Sequence, residues 1–553
     1  MPFKRGKTIR NQHSKMSAKT KNNKKGPFIR SKKGIALIVF AAVVLAAALF
    51  LIFKIEDIAE NRLLAVINAE LEPNAEIEFG EFSFSLLPAG LTIRDIRLVH
   101  LIPFEEHTPT KSTDAIKTFE IKEIGFSGIN LYRMLLERQW ILDRIRIDGL
   151  NFELVPLTTG RLTDATPFQQ PPPFLIDKII LSNGRFSIFS ERDDDAPRYD
   201  IQNIHSEVES FSVPDINDPF HTYFEELTFQ SSAFLYNTRD GNYTIGVDSL
   251  STNSRDRFLF AKGGMVNPHY SAHEMAEKKG YETDQFDVQF KTFSMDEFDL
   301  KRWFEENDLA ASLVRFDVPL ISIHRDKSFP REERDERSLP TDHLRNLPFT
   351  LQIDSVAIRS GLVSYTEDFV DEGRKGNVTF NNVDLTIEKL QNHHPEDSIS
   401  ISVSSRFFDL ADLNLAGEFV LQELSSHTIR GSMSGFDLTH LNEHLEEWLF
   451  VRVGKGVADH LDFYFSADED HAIGEMQFLY HDLEIRFLDK DSLEETRNRR
   501  LRSFLANMIR VRSGNSADNP RIGTIDFERD KERSVFNYWW KSVASGLKDS
   551  VER

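Results

Sequence analysis

The residues that could do covalent chemistry are few, and their spacing fails the chemistry each would need. Gly431-Ser432-Met433-Ser434-Gly435 has the glycines of a nucleophile elbow but a thioether at its centre, where the reaction needs a hydroxyl. There is no Gly-rich loop ending in Gly-Lys-Ser/Thr, no dinucleotide fingerprint and no HExxH pair, and Gly454-Lys455-Gly456 lacks the spacing to cradle a phosphate. His393-His394, followed by Glu396 and Asp397, has metal-ligand residue types. Neighbours on a strand point to opposite faces, however, so the segment reads as a polar loop. Asp193-Asp194-Asp195 and Asp468-Glu469-Asp470 read as solvated turns, with loose calcium binding as the sharper alternative. No cysteine is present, which removes thiolate metal sites, disulfides and cysteine nucleophiles. No catalytic residue, cofactor or metal is assigned, and the chain is expected not to be an enzyme.

Charge is divided along the chain. The 553 residues carry −21 in total, but residues 1–33 hold twelve Lys/Arg and no acid, so the remainder carries −33, the total less the +12 of the tail. Such a body is repelled by nucleic acid and by bare anionic lipid headgroups, and nucleic acid is not expected as its partner. Gly34 to Phe53 follows as twenty residues without a charge, which at about 1.5 Å per residue is about the 30 Å of a bilayer core. Ala46-Ala47-Ala48 resembles a peptidase site, but the apolar run continues through Phe53, so an uncleaved anchor is the better reading. The basic flank places the tail in the cytoplasm and the rest of the chain across the membrane.

Beyond a helix over Ile55–Leu71, alternation with a period of two takes over. Ile77 and Phe79 keep one parity and Phe82, Phe84 and Leu86 the other, a flip at Gly80-Glu81 that fits a β-bulge. The same period returns at Phe186/Ile188, Phe286/Val288/Phe290, Ile399/Ile401 and Phe463/Phe465, among others, with polar residues between. One apolar face and one wet face is the antiparallel situation. Ile176-Asp177 through Gly184-Arg185-Phe186-Ser187 matches Ile353-Asp354 through Gly361-Leu362-Val363-Ser364 at an offset of 177, with a shorter relative at Leu142–Gly149, which indicates a duplicated β-unit. Near the C-terminus, Leu501, Phe504, Leu505, Met508 and Ile509 make an amphipathic stripe in a basic surround, and Phe536, Trp539, Trp540, Val543 and Leu547 fall on one side of a last helix.

The expected architecture is mainly β: one transmembrane helix, then an elongated, curled antiparallel sheet with a few short helices and C-terminal amphipathic helices. The segments are a basic tail (1–33), the anchor (34–53), an N-terminal β-region with its leading helix (54–170), two β-groove repeats (171–347 and 348–490) and a helical C-terminal region with a short strand (491–553). A long sheet with one apolar face needs something to cover that face. It folds onto a second layer, or it curls into a trough that receives lipid acyl chains, in which case Phe82, Phe84, Phe186, Ile188, Phe286, Val288, Phe290, Ile399, Ile401, Phe463 and Phe465 line the trough.

The tail, the anchor, Ile77-Glu78-Phe79-Gly80 through Leu91-Thr92-Ile93-Arg94-Asp95-Ile96-Arg97-Leu98, the Ile-Asp…Gly repeats and Gly474–Ile485 together resemble the AsmA-like family of bacterial envelope proteins. That family is related in architecture to the TamB group and the bridge-like lipid-transfer proteins. The resemblance implies a single-pass protein of the bacterial inner membrane with a periplasmic β-groove, acting in phospholipid movement or outer-membrane homeostasis. Its partners would be phospholipid acyl chains and the inner membrane. The competing expectation is an anchored, non-enzymatic scaffold that recruits an envelope protein partner.

Overall fold

Residues that alternate apolar and polar over ten or more positions have one economical solution, a long strand with one dry face. The computed structural model describes residues 75–86, 89–100, 116–130, 133, 140–155, 174–190, 196–213, 224–332, 336–369, 375–394, 396–421, 425–449, 451–487 and 511–552. The chain divides into two compact units, Met1–Ala65 and Val66–Arg553, and all described residues belong to the second. The expected tail, anchor, leading helix and Leu501–Ile509 stripe lie outside the described residues. Among the described residues no helix is long and apolar enough to cross a membrane.

The protein is mainly β, a long curled sheet of 23 strands. Its first nine are β1 (Ala75–Glu78), β2 (Glu81–Leu86), β3 (Ala89–His100), β4 (Ile116–Ser127), β5 (Trp140–Leu154), β6 (Phe174–Ile188), β7 (Tyr199–Val213), β8 (Glu226–Ser231) and β9 (Ala233–Asn237). The next nine are β10 (Tyr243–Val247), β11 (Ser249–Asn253), β12 (Phe258–Pro268), β13 (Asp284–Asp296), β14 (Asp308–Asp317), β15 (Leu320–Asp326), β16 (Thr350–Asp368), β17 (Lys375–Gln391) and β18 (Ser398–Phe407). The sheet ends with β19 (Ala411–Val420), β20 (His427–Asp437), β21 (Val451–Ala467), β22 (His471–Phe487) and β23 (Ile522–Glu528).

The expected purely antiparallel order is corrected at two places. β6 pairs parallel with β5, and β16 pairs parallel with both β14 and β15. The connection over 327–349 is long enough to carry the chain back across the sheet before β16 begins, which a parallel neighbour requires and a hairpin does not. These two junctions fall where the sequence was divided, after 170 and 347, and the ladder crosses both without a break.

The 177-residue repeat is one part of a larger duplication. Six left-handed residues in β3–β7 and the segments between them have left-handed counterparts in the second set of strands: Asp95 and Gly263, Gly128 and Glu297, Gly149 and Val318, Asn183 and Ser360, Asn203 and Asn382, Ser210 and Lys389. The registers agree. In β6 the ladder to β7 shifts at Leu181, Gly184 and Phe186, and in β16 the ladder to β17 shifts at Ile358, Gly361 and Val363. The matched residues thus set β3–β7 against β12–β17.

The left-handed residues align across neighbouring strands as creases. Each adds a residue without a partner, so the alternation restarts on the opposite parity. A Cβ on Gly184 would lie 3.2 Å from Leu181 Cδ2 and 3.2 Å from Ile204 Cβ, which puts Gly184 on the same face as both. Ile179 and Leu181 before the crease and Phe186 and Ile188 after it thus share one face despite opposite parity. The Asp of each Ile-Asp pair, Asp177 and Asp354, is skipped by the ladder at a second crease, opposite left-handed Ser210 and Lys389.

Five α-helices are described, α1 (Ala272–Lys279), α2 (Leu300–Glu306), α3 (Pro340–Arg345), α4 (Asn442–Leu449) and α5 (Val535–Val551), with a 3-10 helix at Leu438–Leu441. Ser271 closes a capping box with Glu274 on α1, and Ser534 caps α5 through the Asn537 N–H. Their main packing partners lie among β13–β17 and β21–β23.

The duplication supplies a stability test. Val318 holds φ 50°, and Gly149, its counterpart, holds φ 67° with a Cβ position 2.9 Å from Lys122 Cβ. A β-branched residue in this conformation costs on the order of 1–3 kcal/mol. Gly149→Val is expected to lower unfolding stability by about that amount, whereas Val318→Gly should raise it by up to about 1 kcal/mol in urea titrations. A Gly149→Val variant as stable as the wild type, or a Val318→Gly variant less stable than it, would contradict the shared crease.

Candidate functional site

Following hydrogen-bonded partners from strand to strand traces a single row across the sheet. It begins Phe82, Ile93, Ile124, Ile147, Leu181, Ser206, Phe229, Thr252 and Leu259. It continues through Met295, Val314, Val356, Ile387, Ile401, Gly417, Ile429, Phe465 and Gly474 to Ile525. Paired residues point to the same side, so this is one apolar stripe from β2 to β23. A second stripe, beyond the crease, carries Leu154, Ile188, Tyr199, Tyr236, Ile245, Val266, Val288, Ile321, Val363, Phe380 and Phe407.

One residue along each strand, the ladder carries Ser83 with Thr92, Glu207 with Thr228, Ser355 with Glu388, and Ser400 with Glu418. Ion pairs lie on this outer side. Arg94 bridges Glu81 and Glu123 at 2.8 Å each, and Lys178 meets Glu207 and Glu209. The sheet thus has one apolar and one wet face.

The apolar face is covered unevenly. From β13 onward the protein's own side chains pack on it. Met295 and Val314 pack with Leu300 and Trp303 of α2 and Leu344 of α3, and Phe465, Met476 and Ile525 pack under Tyr538, Val543 and Leu547 of α5. Over β1–β9 the buried hydrophobic clusters of the described residues reduce to Val155 with Phe189. The large side chains there touch one another within the sheet, as do Phe119, Phe152 and Phe186 at ring separations of 5.9 and 5.8 Å. All three are only half-buried.

The eleven expected lining residues divide accordingly. Phe82, Phe84, Phe186, Ile188, Val288 and Phe290 are half-buried on the apolar face, and Phe286 is 41% exposed. Phe290 lies over Gly264, and its ring packs edge-on against Phe316 at 5.6 Å. Ile399 and Phe465, at 3% and 0% exposure, belong instead to the interior, and Ile401 and Phe463 pack against them. Alternation is the same whether a helix or another apolar body covers the strand, so the sequence pattern does not separate these four from the rest.

α5 lies on this face by an unexpected side. Tyr538, Ser542, Gly546 and Ser550 meet the sheet, and a Cβ on Gly546 would be 2.6 Å from Ile525 Cγ1. Phe536 and Trp540 remain 74% and 57% exposed. Asp549 and Ser545 accept hydrogen bonds from the Thr524 and Asp526 N–H groups, which blunts the edge of β23. A seam fastens its leading turn to Arg331 and Arg337: Arg331 meets Glu532 at 3.3 Å, the Arg337 N–H donates to the Lys531 carbonyl, and buried Arg529 donates to the Arg337 carbonyl.

His427 latches α5. The Trp539 indole N–H donates to Nε2 at 2.9 Å, and Nδ1 lies 3.0 Å from the Ser425 carbonyl. An indole only donates and a carbonyl only accepts, so the neutral tautomer with the proton on Nδ1 is required. The ring stacks on Phe419 at 5.2 Å. Burial holds its pKa below the ordinary imidazole value, with the Ser425 carbonyl and Asp468 opposing that shift and Arg529 adding to it.

The motifs with catalytic residue types disperse. Met433 of the Gly-Ser-Met-Ser-Gly run lies mid-strand in β20 and packs against the core. His393 and His394 sit in a turn with rings 4.3 Å apart, not on opposite strand faces, because both N–H groups donate to Gln391 Oε1. Asp468 closes the β21–β22 turn by accepting from the Asp470 and His471 N–H groups. Asp193–Asp195 lie outside the described residues. Among the described residues no group of three His, Asp or Glu is placed to hold a metal ion.

A buried neutral histidine takes up a proton on unfolding, so its contribution to stability falls as pH drops below its ordinary value of about 6.5. Relative to His427→Gln, the wild type should lose up to about 1.4 kcal/mol of stability per pH unit between pH 6.5 and 5. A pH-independent difference between the two would contradict the latch. Comparison with family models and with curated proteins returned no match for this chain.

Proposed function

We propose that the chain is a membrane-anchored, non-enzymatic lipid-binding protein of the bacterial envelope. It shelters phospholipid acyl chains against the apolar face of its sheet and aids their transfer or the upkeep of the outer membrane. One observation carries this reading: a continuous apolar stripe whose β1–β9 portion, apart from buried Ile93, is only half-buried, on a sheet whose other face is ionic. Each methylene withdrawn from water gains about 0.8 kcal/mol, so a groove that merely excludes water is enough to hold a chain. Backbone hydrogen bonding within the ladder lets the wall meet hydrocarbon without unsatisfied groups. The resemblance to the AsmA-like family, the charge-free run at 34–53 and its basic flank support an inner-membrane anchor with the sheet in the periplasm.

The test is photo-crosslinking in intact cells. With a photoreactive phenylalanine analogue placed at Phe286, Phe186 or Ile245 of the full-length protein, mass spectrometry should find phospholipid adducts. At Tyr464 and Ile473, which are 52% and 59% exposed, adducts should be absent. Both lie on the outer face, one step from the row residues Phe465 and Gly474. In the same assay Phe286→Asp should reduce the adduct at Phe186 without shifting the unfolding midpoint by more than about 0.5 kcal/mol, since Phe286 is an exposed site. Adducts at all five positions alike, or protein crosslinks alone, would favour a scaffold that recruits an envelope partner.

A further inference from the structure

We propose that Arg198 and Lys117 bind the phosphate group of a lipid whose acyl chains lie on the apolar face of β4–β9, an inference that rests on the lipid reading above. Arg198 stands immediately before β7. Its guanidinium carbon lies 5.6 Å from the Tyr199 ring and 5.7 Å from the Tyr236 ring, and those rings stack at 4.7 Å within the second apolar stripe. Nη2 reaches the Tyr236 hydroxyl at 3.5 Å, while Nε is buried without a hydrogen-bond partner.

Lys117 is aimed by a bulge. The β4–β5 ladder passes from Ile116–Leu154 to Thr118–Glu153 and skips it. Such a residue is free to turn away from the ladder, and its ammonium sits 4.0 Å from the centre of the Phe189 ring. Phe189 follows the end of β6 and Arg198 precedes β7, and the Arg198 N–H donates to the Ile188 carbonyl at 2.6 Å. The two cations therefore flank one rim of the sheet.

Aromatic faces attract a cation but do not neutralise it. Among the described residues neither Arg198 nor Lys117 has a carboxylate at ion-pair distance, although the chain beyond residue 33 carries −33.

The duplication provides an internal comparison. At the corresponding places the second copy has Phe286 and Asn377, and the cations at its rim are satisfied: Arg325 is paired with Asp284 at 2.5 and 2.7 Å, and Lys327 with Glu367 at 2.5 Å. Among the described residues, one rim is neutralised from within and the other carries two cations without a carboxylate partner, beside an apolar wall. That combination fits an anionic headgroup with hydrocarbon attached, and a free phosphate would have no use for the wall.

Full-length protein in neutral nanodiscs, titrated with fluorescent-acyl phosphatidylglycerol and with diacylglycerol bearing the same acyl label, tests the proposal. Arg198→Gln with Lys117→Gln should weaken phosphatidylglycerol binding about tenfold and diacylglycerol binding less than about twofold, and Arg198→Lys should retain phosphatidylglycerol within about threefold. Equal losses for both probes, or no loss for either, would overturn the headgroup site while leaving the groove. Competition by inorganic phosphate at the concentration of the lipid probe would overturn the lipid source in favour of a free anion. Wild-type protein that takes up neither probe would overturn the lipid reading and this inference with it.

Discussion

The structure depends on a conflict between two requirements of one sheet. Backbone pairing propagates from strand to strand without limit, and so does the stripe of apolar side chains on one face. That face must be kept from water along its length. An ordinary domain meets the requirement with a second layer. Among the described residues a second layer appears only from β13 onward, where α2, α3 and α5 cover Met295, Val314, Phe465 and Ile525. The first copy of the duplicated unit carries the same stripe with no comparable cluster among its described residues.

The creases reconcile a long strand with curvature. A regular strand of nineteen residues such as β16 would put alternate residues on alternate faces throughout, and twist alone would carry its ends out of line with its neighbours. Left-handed residues aligned from strand to strand bend the whole sheet along shared lines and keep Leu181 and Phe186, or Ile358 and Val363, on one side. The two copies differ at their ends. The second carries a neutral ionic rim at Asp284, Arg325, Lys327 and Glu367, with burial and the nearby Glu367 carboxylate raising the pKa of the Tyr365 hydroxyl.

Much of this was legible in the residues. Alternation identified the strands, their polar partners marked the wet face, and the Ile-Asp…Gly pattern located one strand of the duplicated pair in each copy. The flip at Gly80 was readable because glycine and a change of parity coincided. At Asn183 and Ser360 the same event hides behind residues that tolerate a positive φ only at some cost. The parallel junctions were not readable, because strand direction is set by what lies between β15 and β16 and not by the strands themselves. Nor was the fate of Ile399 and Phe465, since a partner distant in sequence, Trp539 or Tyr538, decides their burial. Arg198 and Tyr236 are 38 residues apart and meet only through the β7–β9 pairing.

The central claim is that the half-buried stripe of the first copy is a surface for hydrocarbon and not part of a closed interior. A density map of the full-length protein in a lipid bilayer tests this most directly. Elongated non-protein density running against Phe119, Phe152, Phe186 and Ile188 is the predicted result. The same space filled from end to end by the protein's own side chains would contradict it.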